Sequence, residues 1–480
     1  MAKTVIIPVL LGMLICSGCS PFAPTKTLQP EVTINKPYSI QVQGEYTNQL
    51  WWKHFDSQEL DALINKALSD NFTVTIAYAR LKQAQANLVK AGAAQYPTLN
   101  VLGSAKGTSS GSQAKVGADN IYSNVEHYSI GAAASYEVDL WGKIEAGRSA
   151  SEQQFFATQA DLDAAAVSVS ASVADTWVDL LTTREEINIL NKQIANNRQA
   201  LEFQELRFLN GLAESVDVLQ QRQILASSQS ELPLLIAREQ VLLNALSVLI
   251  GDSPLDKPNV TQDELPKLIA LPRTGLPASL LSSRPDIRSA AYNYFSAEWD
   301  VAVARADRLP QITLSADAAY TSGVAAVLFN NWAASLAANL MQPVLDGGRR
   351  AAEVARTRAV VEERSAQYSD TVSKAIQEVE DALVNEEQQR NYITLIAAQR
   401  DATAKTLNDA ELRYLQGQSG YLPLLQEILN VQNLERKMIQ EEAQLIKLRI
   451  SLYRALGGSW TKNLAKVHEP LSSDESNEGA

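Results

Sequence analysis

"ELRFLNG", Glu205 to Gly211, returns 206 residues later as "ELRYLQG", Glu411 to Gly417. The same offset holds well outside this phrase. Gly142-Lys143 falls on Gly348-Arg349, Val178 on Val384, Leu219-Gln220 on Leu425-Gln426, Leu246 on Leu452 and Gly251 on Gly457. A gap-free register over roughly 110 residues, with sparse identity, is what a structural unit used twice leaves in a sequence. Upstream, "KAGAAQYPTL" (Lys90 to Leu99) resembles "VARADRLPQI" (Val303 to Ile312), with Pro97 on Pro310. The halves differ in length only between these prolines and the glycine motifs, as a variable loop would.

The repeated phrase closes the longest uninterrupted stretch of each half. Arg148 to Asn210 and Arg349 to Gln416 contain neither glycine nor proline. As helices each would extend roughly 95–100 Å. Val361, Tyr368, Val372, Ile376, Val379 and Leu383 recur at heptad-like spacings, and abundant Ala and Ser permit close helix approach, which suggests coiled-coil packing. Gly211 and Gly417 then stand where a helix ends in the left-handed conformation before the chain turns back. A second helical stretch follows each, Asp217 to Ile250 and Leu424 to Leu456.

Before each long helix lie two alternating segments. Tyr128, Ile130, Ala132, Ala134, Tyr136, Val138 and Leu140 alternate with small or polar residues, as do Ile312, Leu314, Ala316, Ala318 and Tyr320, and Trp332, Ala334, Leu336, Ala338 and Leu340. Leu99 and Val101 begin a weaker fourth run. Segments of about ten residues with one apolar face fit membrane barrel strands; two hairpins of a soluble sandwich would alternate in the same way. Earlier in each half comes a helix. Its apolar face in the first half is Leu60, Leu63, Ile64, Ala67 and Leu68, and in the second it starts at Ser282-Ser283-Arg284-Pro285-Asp286-Ile287.

The chain of 480 residues carries a net charge of −12, which argues against nucleic-acid binding. Three scattered histidines, no metal-ligand spacing and no phosphate-binding or nucleophile motif point away from an enzyme and toward no metal and no cofactor. At the N-terminus, Lys3 and the apolar run Val5 to Ile15 fit a signal peptide, too short to span a membrane. Cys16-Ser17-Gly18-Cys19 resembles the bacterial lipoprotein box. That resemblance makes Cys19 the lipidated first residue and removes Cys16, and Ser20 favours the outer membrane. The alternative is an ordinary cleaved signal peptide with a stray cysteine. No later stretch has 18 consecutive apolar residues, so no transmembrane helix is expected.

These signals divide the chain into a lipoprotein signal peptide (1–18), an extended arm (19–50), a first repeat (51–251) and a linker (252–278), followed by a second repeat (279–458) and a C-terminal segment with a disordered acidic tail (459–480). Within the repeats, strands are expected at about 98–113, 126–141, 311–325 and 330–345, and long helix pairs at 143–251 and 349–457. Four strands cannot close a barrel in lipid, so the chain must oligomerise.

The sequence resembles the TolC/OprM-type outer-membrane factor family, in its lipoprotein branch. The resemblance rests on Trp52, Phe55, Asp56 and Leu60, on Arg284-Pro285-Asp286-Ile287, and on "YEVDLWGK" (Tyr136 to Lys143), "QPVLDGGR" (Gln342 to Arg349) and "ALGGSW" (Ala455 to Trp460). It implies a mainly α fold with membrane β: a homotrimer with one twelve-stranded barrel, four strands per protomer, continuous with a periplasmic α-helical barrel. It also implies an equatorial layer, an outer-membrane location, and service as the exit duct of a drug efflux pump together with a periplasmic adaptor and an inner-membrane RND-type transporter. A duct for type I protein secretion or metal-ion efflux is the alternative within the family. A periplasmic coiled-coil lipoprotein without a pore is the alternative outside it.

By the same resemblance the functional site is an aperture at the helix turns. Asp217 matches the family's tip aspartate and Tyr414 a tyrosine of its closing network; Glu214 and Glu427 are nearby acids. Ser419, Pro423 and Gln426 depart from the family's network arginine and inner aspartates. Asp217 reads equally as a helix cap and Tyr414 as a packing residue. Leu209, Gly211, Leu212, Leu415, Gly417 and Gln418 are the candidates for adaptor contact. Arg207 and Arg413 read as solvated or as neutralising helix C-termini, and Arg284-Pro285-Asp286 as structural.

Overall fold

Ser57 opens the first long element by accepting a hydrogen bond from Leu60 N at 3.2 Å, satisfying one of the donors that a helix start leaves free. Helix α1, Gln58–Asp70, buries Leu60, Leu63, Ile64, Ala67 and Leu68 on one face. The computed structural model describes residues 21–25, 28–32, 36–40, 50–112, 121–268, 271–272, 277–458 and 460–461. The signal peptide, Cys19 and the acidic tail lie outside the described residues.

The element order after α1 is α2 (Phe72–Ala93), β1 (Thr98–Ser112), β2 (Ile121–Val138), α3 (Lys143–Leu209), α4 (Ser215–Leu249), a helical turn Leu280–Ser283, α5 (Pro285–Ala306), β3 (Gln311–Ser322), β4 (Trp332–Met341), α6 (Arg349–Leu415) and α7 (Tyr421–Leu456). The single helix expected before β1 is two, because Asn71 turns its side chain onto the backbone. Its Oδ1 accepts from Thr73 N at 2.7 Å and its Nδ2 donates to Leu249 O at 2.8 Å. The second strand starts five residues before the expected 126 and stops at Val138, short of Trp141. Residues Ala325–Asn330 form a 3-10 turn instead of extending β3 or β4. Helix α4 runs through Pro233, on an exposed side where the carbonyl that loses its donor can be hydrated. Ser283 does not cap α5, since its hydroxyl donates back to Ser279 O at 3.0 Å. Helices α3 and α4 are long and apolar enough to cross a membrane by length and composition, which a count of consecutive apolar residues does not show. Most of the apolar stretch of α3 is buried inside the chain.

The strands form one antiparallel sheet in the order β1-β2-β3-β4. Its register decides which side chains share a face. Val101 pairs with Ala132, Ala132 with Ala318, and Ala318 with Ala334. Tyr136 pairs with Leu314 and Leu314 with Ala338. Within the strands, each apolar series read from the alternation therefore falls on a single face, with Leu140 beyond the end of β2. The other face carries Lys106, His127, Glu137, Asp317 and Asn339 among small residues. There Ser335 Oγ donates to Asp317 at 2.5 Å.

Among the described residues, one compact unit takes in those up to Gln29 together with Leu81–Thr158 and Ala290–Tyr368, and the other Pro30–Arg80, Gln159–Ser289 and those from Ser369 onward. In the first, Asp139 Oδ2 accepts from Glu145 N at 2.9 Å and Asp346 Oδ1 from Gly348 N at 3.0 Å, so each strand-to-helix passage has its own acidic cap. Trp141 Nε1 donates to Pro310 O at 2.7 Å. Asp307 joins Lys143 at 3.2 Å and Arg350 at 2.9 Å. Burial alone would raise its carboxyl pKa, and the two cations outweigh burial and hold it below the usual carboxylate range.

In the second unit, motifs distant in sequence meet. Trp52 packs edge-on against Trp460, and Trp51 stacks on Tyr453. Buried Arg284 holds Asp286 at 2.7 Å and Glu378 at 2.7 Å and donates to Ala455 O at 2.9 Å. Among its described residues, the linker has no helix or strand before the 3-10 turn Pro277–Ser279. Side chains take its backbone donors instead: Glu59 accepts from Thr261 N at 2.7 Å and Glu185 from Leu265 N at 2.8 Å. Gly251 has φ +83°, and a Cβ there would lie 2.4 Å from Asp70 O. At Gly211, with φ +70°, an added Cβ would meet nothing within 4 Å. Gly211→Ala should cost only the about 1–2 kcal/mol of a left-handed non-glycine residue. Gly251→Ala should cost clearly more, read as the difference between the two variants' denaturation midpoints. Equal midpoints would mean that the Asp70 contact gives way freely.

Candidate functional site

The repeated phrases end their helices in the same way. Gly211 N donates to Phe208 O at 2.9 Å and Leu212 N to Arg207 O at 2.8 Å. Gly417 N donates to Tyr414 O at 3.0 Å and Gln418 N to Arg413 O at 2.8 Å. These are Schellman closures, and φ values of +70° and +71° explain the glycines. Both turns lie in the second unit.

Asp217 sits in the third position of α4 and takes part in a capping box. Its Oδ2 accepts from Glu214 N at 3.2 Å, and the Glu214 side chain accepts from the Asp217 backbone N–H. The cap reading of Asp217 is thus realised in this conformation. Glu427 is half-buried on α7, 3.5 Å from Asn430 Nδ2. Leu209, Leu212 and Leu415 are exposed, and a Cβ at Gly211 or Gly417 would meet open space. Gln418 Nε2 reaches only Gln416 Oε1, at 2.9 Å.

Tyr414 is buried and couples the hairpins. Its hydroxyl donates to Gln204 Oε1 at 2.9 Å, and its ring lies 5.4 Å from that of Tyr421. Tyr421 donates to Gln221 Oε1 at 2.6 Å. Gln221 Nε2 donates to Asn197 O at 2.8 Å, and Gln432 Nε2 to Asn197 Oδ1 at 3.1 Å. Asn197 Nδ2 donates to Ser228 Oγ at 3.1 Å. Around this polar line pack Leu424, Leu425, Ile224, Leu407 and Ile428. Burial pushes the Tyr421 hydroxyl up to about 12; Tyr414 and Asp217 add to the rise against the Gln204 hydrogen bond. Tyr421 is therefore a neutral donor near pH 7. A satisfied buried network of this kind holds one geometry, and breaking one member strands its partners.

Sequence reasoning named Tyr414 and missed Tyr421, Gln204, Gln221, Asn197 and Gln432. The signal was there as polar residues at stripe spacing: Gln193, Asn197 and Gln204 lie four and seven apart on α3, and Tyr421 lies seven after Tyr414. Arg207 takes the second of its two expected places, at the end of α3, where it donates to Leu212 O at 3.1 Å; its guanidinium also lies over the Tyr414 ring at 4.7 Å.

Comparison with known proteins gives a consistent result. Residues 63–252 and 276–458 match the sequence profile described as outer membrane efflux protein. The pyoverdine export outer membrane protein OpmQ of Pseudomonas aeruginosa is 32% identical over 422 residues, covering 85% of this chain and 87% of its own. The cation efflux system protein CusC of Escherichia coli is 26% identical over 466 residues, 92% of this chain and 96% of its own. The solved outer-membrane channel OprN superposes with a TM-score of 0.83 at 27% identity, over 92% of this chain and all of that one.

Proposed function

The chain belongs to the outer membrane efflux protein family, and on that premise we propose that it is the exit duct of a tripartite efflux pump. As a member of that family it is an outer-membrane protein and not an enzyme. The observation that carries the proposal is the sheet, which has one face rich in exposed large apolar side chains, one face of mainly small and polar residues and two open edges, β1 and β4. Lipid tolerates no open edge. Three copies supply twelve strands, an even number that closes a barrel with its polar face toward a lumen. The order of helix, two strands and two long helices occurs twice. It supports an internal two-fold repeat, in which each protomer gives two similar hairpins to a periplasmic helical barrel. A coiled-coil lipoprotein without a pore would have no use for such a sheet.

In this reading Cys19 anchors the chain by lipid, and a periplasmic adaptor meets the turns at Leu209, Gly211, Leu212, Leu415, Gly417 and Gln418. An inner-membrane transporter supplies the energy and selects the cargo, drugs or other small toxic solutes. OpmQ is named for pyoverdine and CusC for cations, and the duct residues favour neither. The gate is formed by Tyr414 and Asp217, with Glu214 and Glu427 beside them. Exchanging Asp217 and Tyr414 together for Ala should raise single-channel conductance in planar bilayers several-fold. Conductance at the wild-type level would place the constriction elsewhere. Loss of adaptor cross-linking on Leu212→Asp, with oligomer assembly intact, would test the docking surface.

A further inference from the structure

Arg207 and Arg413 hold the same place in the two phrases, yet the structure uses them differently. Arg413 is tied to Asp409, one turn back on its own helix, with Nε to Oδ2 at 2.9 Å and both side chains exposed. An acid four residues before a base is the favourable orientation of an intrahelical pair. At the equivalent position of the first helix the chain has Phe203. Arg207 lacks that partner. Its guanidinium lies 4.7 Å from the centre of the Tyr414 ring and 5.7 Å from that of Phe203, and it donates to Leu212 O at 3.1 Å. Its Nε is buried without a hydrogen-bond partner. A guanidinium held on an aromatic face at the cost of one unused donor has been placed by the stack.

We propose that Arg207 is a positioning residue that clamps the first turn onto Tyr414 of the second hairpin, and that Phe203, standing where the second helix has Asp409, frees it to do so. The clamp joins the first turn, through Leu212 O, to the ring whose hydroxyl already reaches Gln204. It couples the two turns inside one protomer, while the second turn's arginine stays on its own helix. The inference rests on the gate reading only for its consequence, because the clamp can be measured without a pore.

The test is amide hydrogen exchange of the full-length protein in nanodiscs, followed over residues 205–214 and 411–419. Phe203→Asp recreates the intrahelical partner, so Arg207 should be recaptured and exchange of both turns should rise roughly fivefold. Phe203→Ala offers no acid and removes only the more distant of the two ring contacts, so it should raise exchange clearly less than Phe203→Asp. With Tyr414→Leu already present, Phe203→Asp should add nothing. The proposal is overturned if the Asp and Ala variants behave alike, if neither turn accelerates, or if the Phe203→Asp effect survives in the Tyr414→Leu background. Conductance of the same variants separates the two ideas: faster exchange at unchanged conductance upholds the clamp and removes the gate.

Discussion

Leu336→Arg should abolish the assembled outer-membrane oligomer, whereas Ala337→Arg, one residue along, should leave it intact and change its conductance. Leu336 lies at the centre of β4, opposite Ala316, on the face that gathers Val101, Ile130, Leu314 and Trp332. Its side chain is 83% exposed in the single chain, so nothing within the protomer covers it. If that face meets hydrocarbon, an arginine near the midplane costs about 2–4 kcal/mol per copy, and a closed ring repeats the cost in every copy. Ala337 pairs with Ser315 on the polar face, where a cation meets water. The measurement is SDS resistance of the oligomer extracted from outer membranes, with bilayer conductance for the Ala337 variant. Two variants that assemble equally well would remove the membrane assignment of the sheet.

The second large effect is expected in the second unit, between helices α6 and α7. Arg449 on α7 and Glu386 on α6 form a two-pronged pair, with distances of 3.0 Å and 2.6 Å, and neither side chain is exposed at all. Arg390 adds a third contact to Glu386 at 2.9 Å from a partly exposed position. Arg449→Met should destabilise the protein by about 3–5 kcal/mol, because it leaves a buried carboxylate with one peripheral cation. The double variant Arg449→Met with Glu386→Leu should recover most of that loss, since an apolar pair of similar volume avoids desolvating two charges. Unfolding of the detergent-solubilised protein, followed by loss of helical signal in denaturant, distinguishes these cases. If the double variant loses as much as the single, the pair stabilises by its own attraction and the desolvation argument fails here.

The amphipathic sheet was legible because strand alternation is a local, two-residue property, and pairing carries it unchanged across a register. Alternation placed Leu314 and Leu336 each on the apolar side of its own strand, and the β3–β4 register brought those sides together. The long helices were legible from the absence of glycine and proline, and Gly211 and Gly417 from the conformation a helix end requires. Asn71 was not, because its side chain closes one helix only by also reaching Leu249 O, 178 residues away in sequence. The pairing of Arg449 with Glu386 was not legible either, since nothing in either neighbourhood names the other.

The candidate site divides along the same line. Asp217 reads as a cap from its neighbours, and the structure uses it so. The two phrases are nearly one sequence, but Tyr414 is buried while Phe208 at the equivalent place is 47% exposed, and Leu425 is buried while Leu219 is 60% exposed. By itself the sequence determined two similar hairpins, their lengths, their glycine turns and the two faces of the sheet, because each follows from backbone preference and short-range periodicity. Only the tertiary structure decided which face of each hairpin is covered, and therefore which arginine is free to cross from one hairpin to the other. Burial is set by the surface that comes to lie opposite a residue, and two copies of one local sequence meet different surfaces.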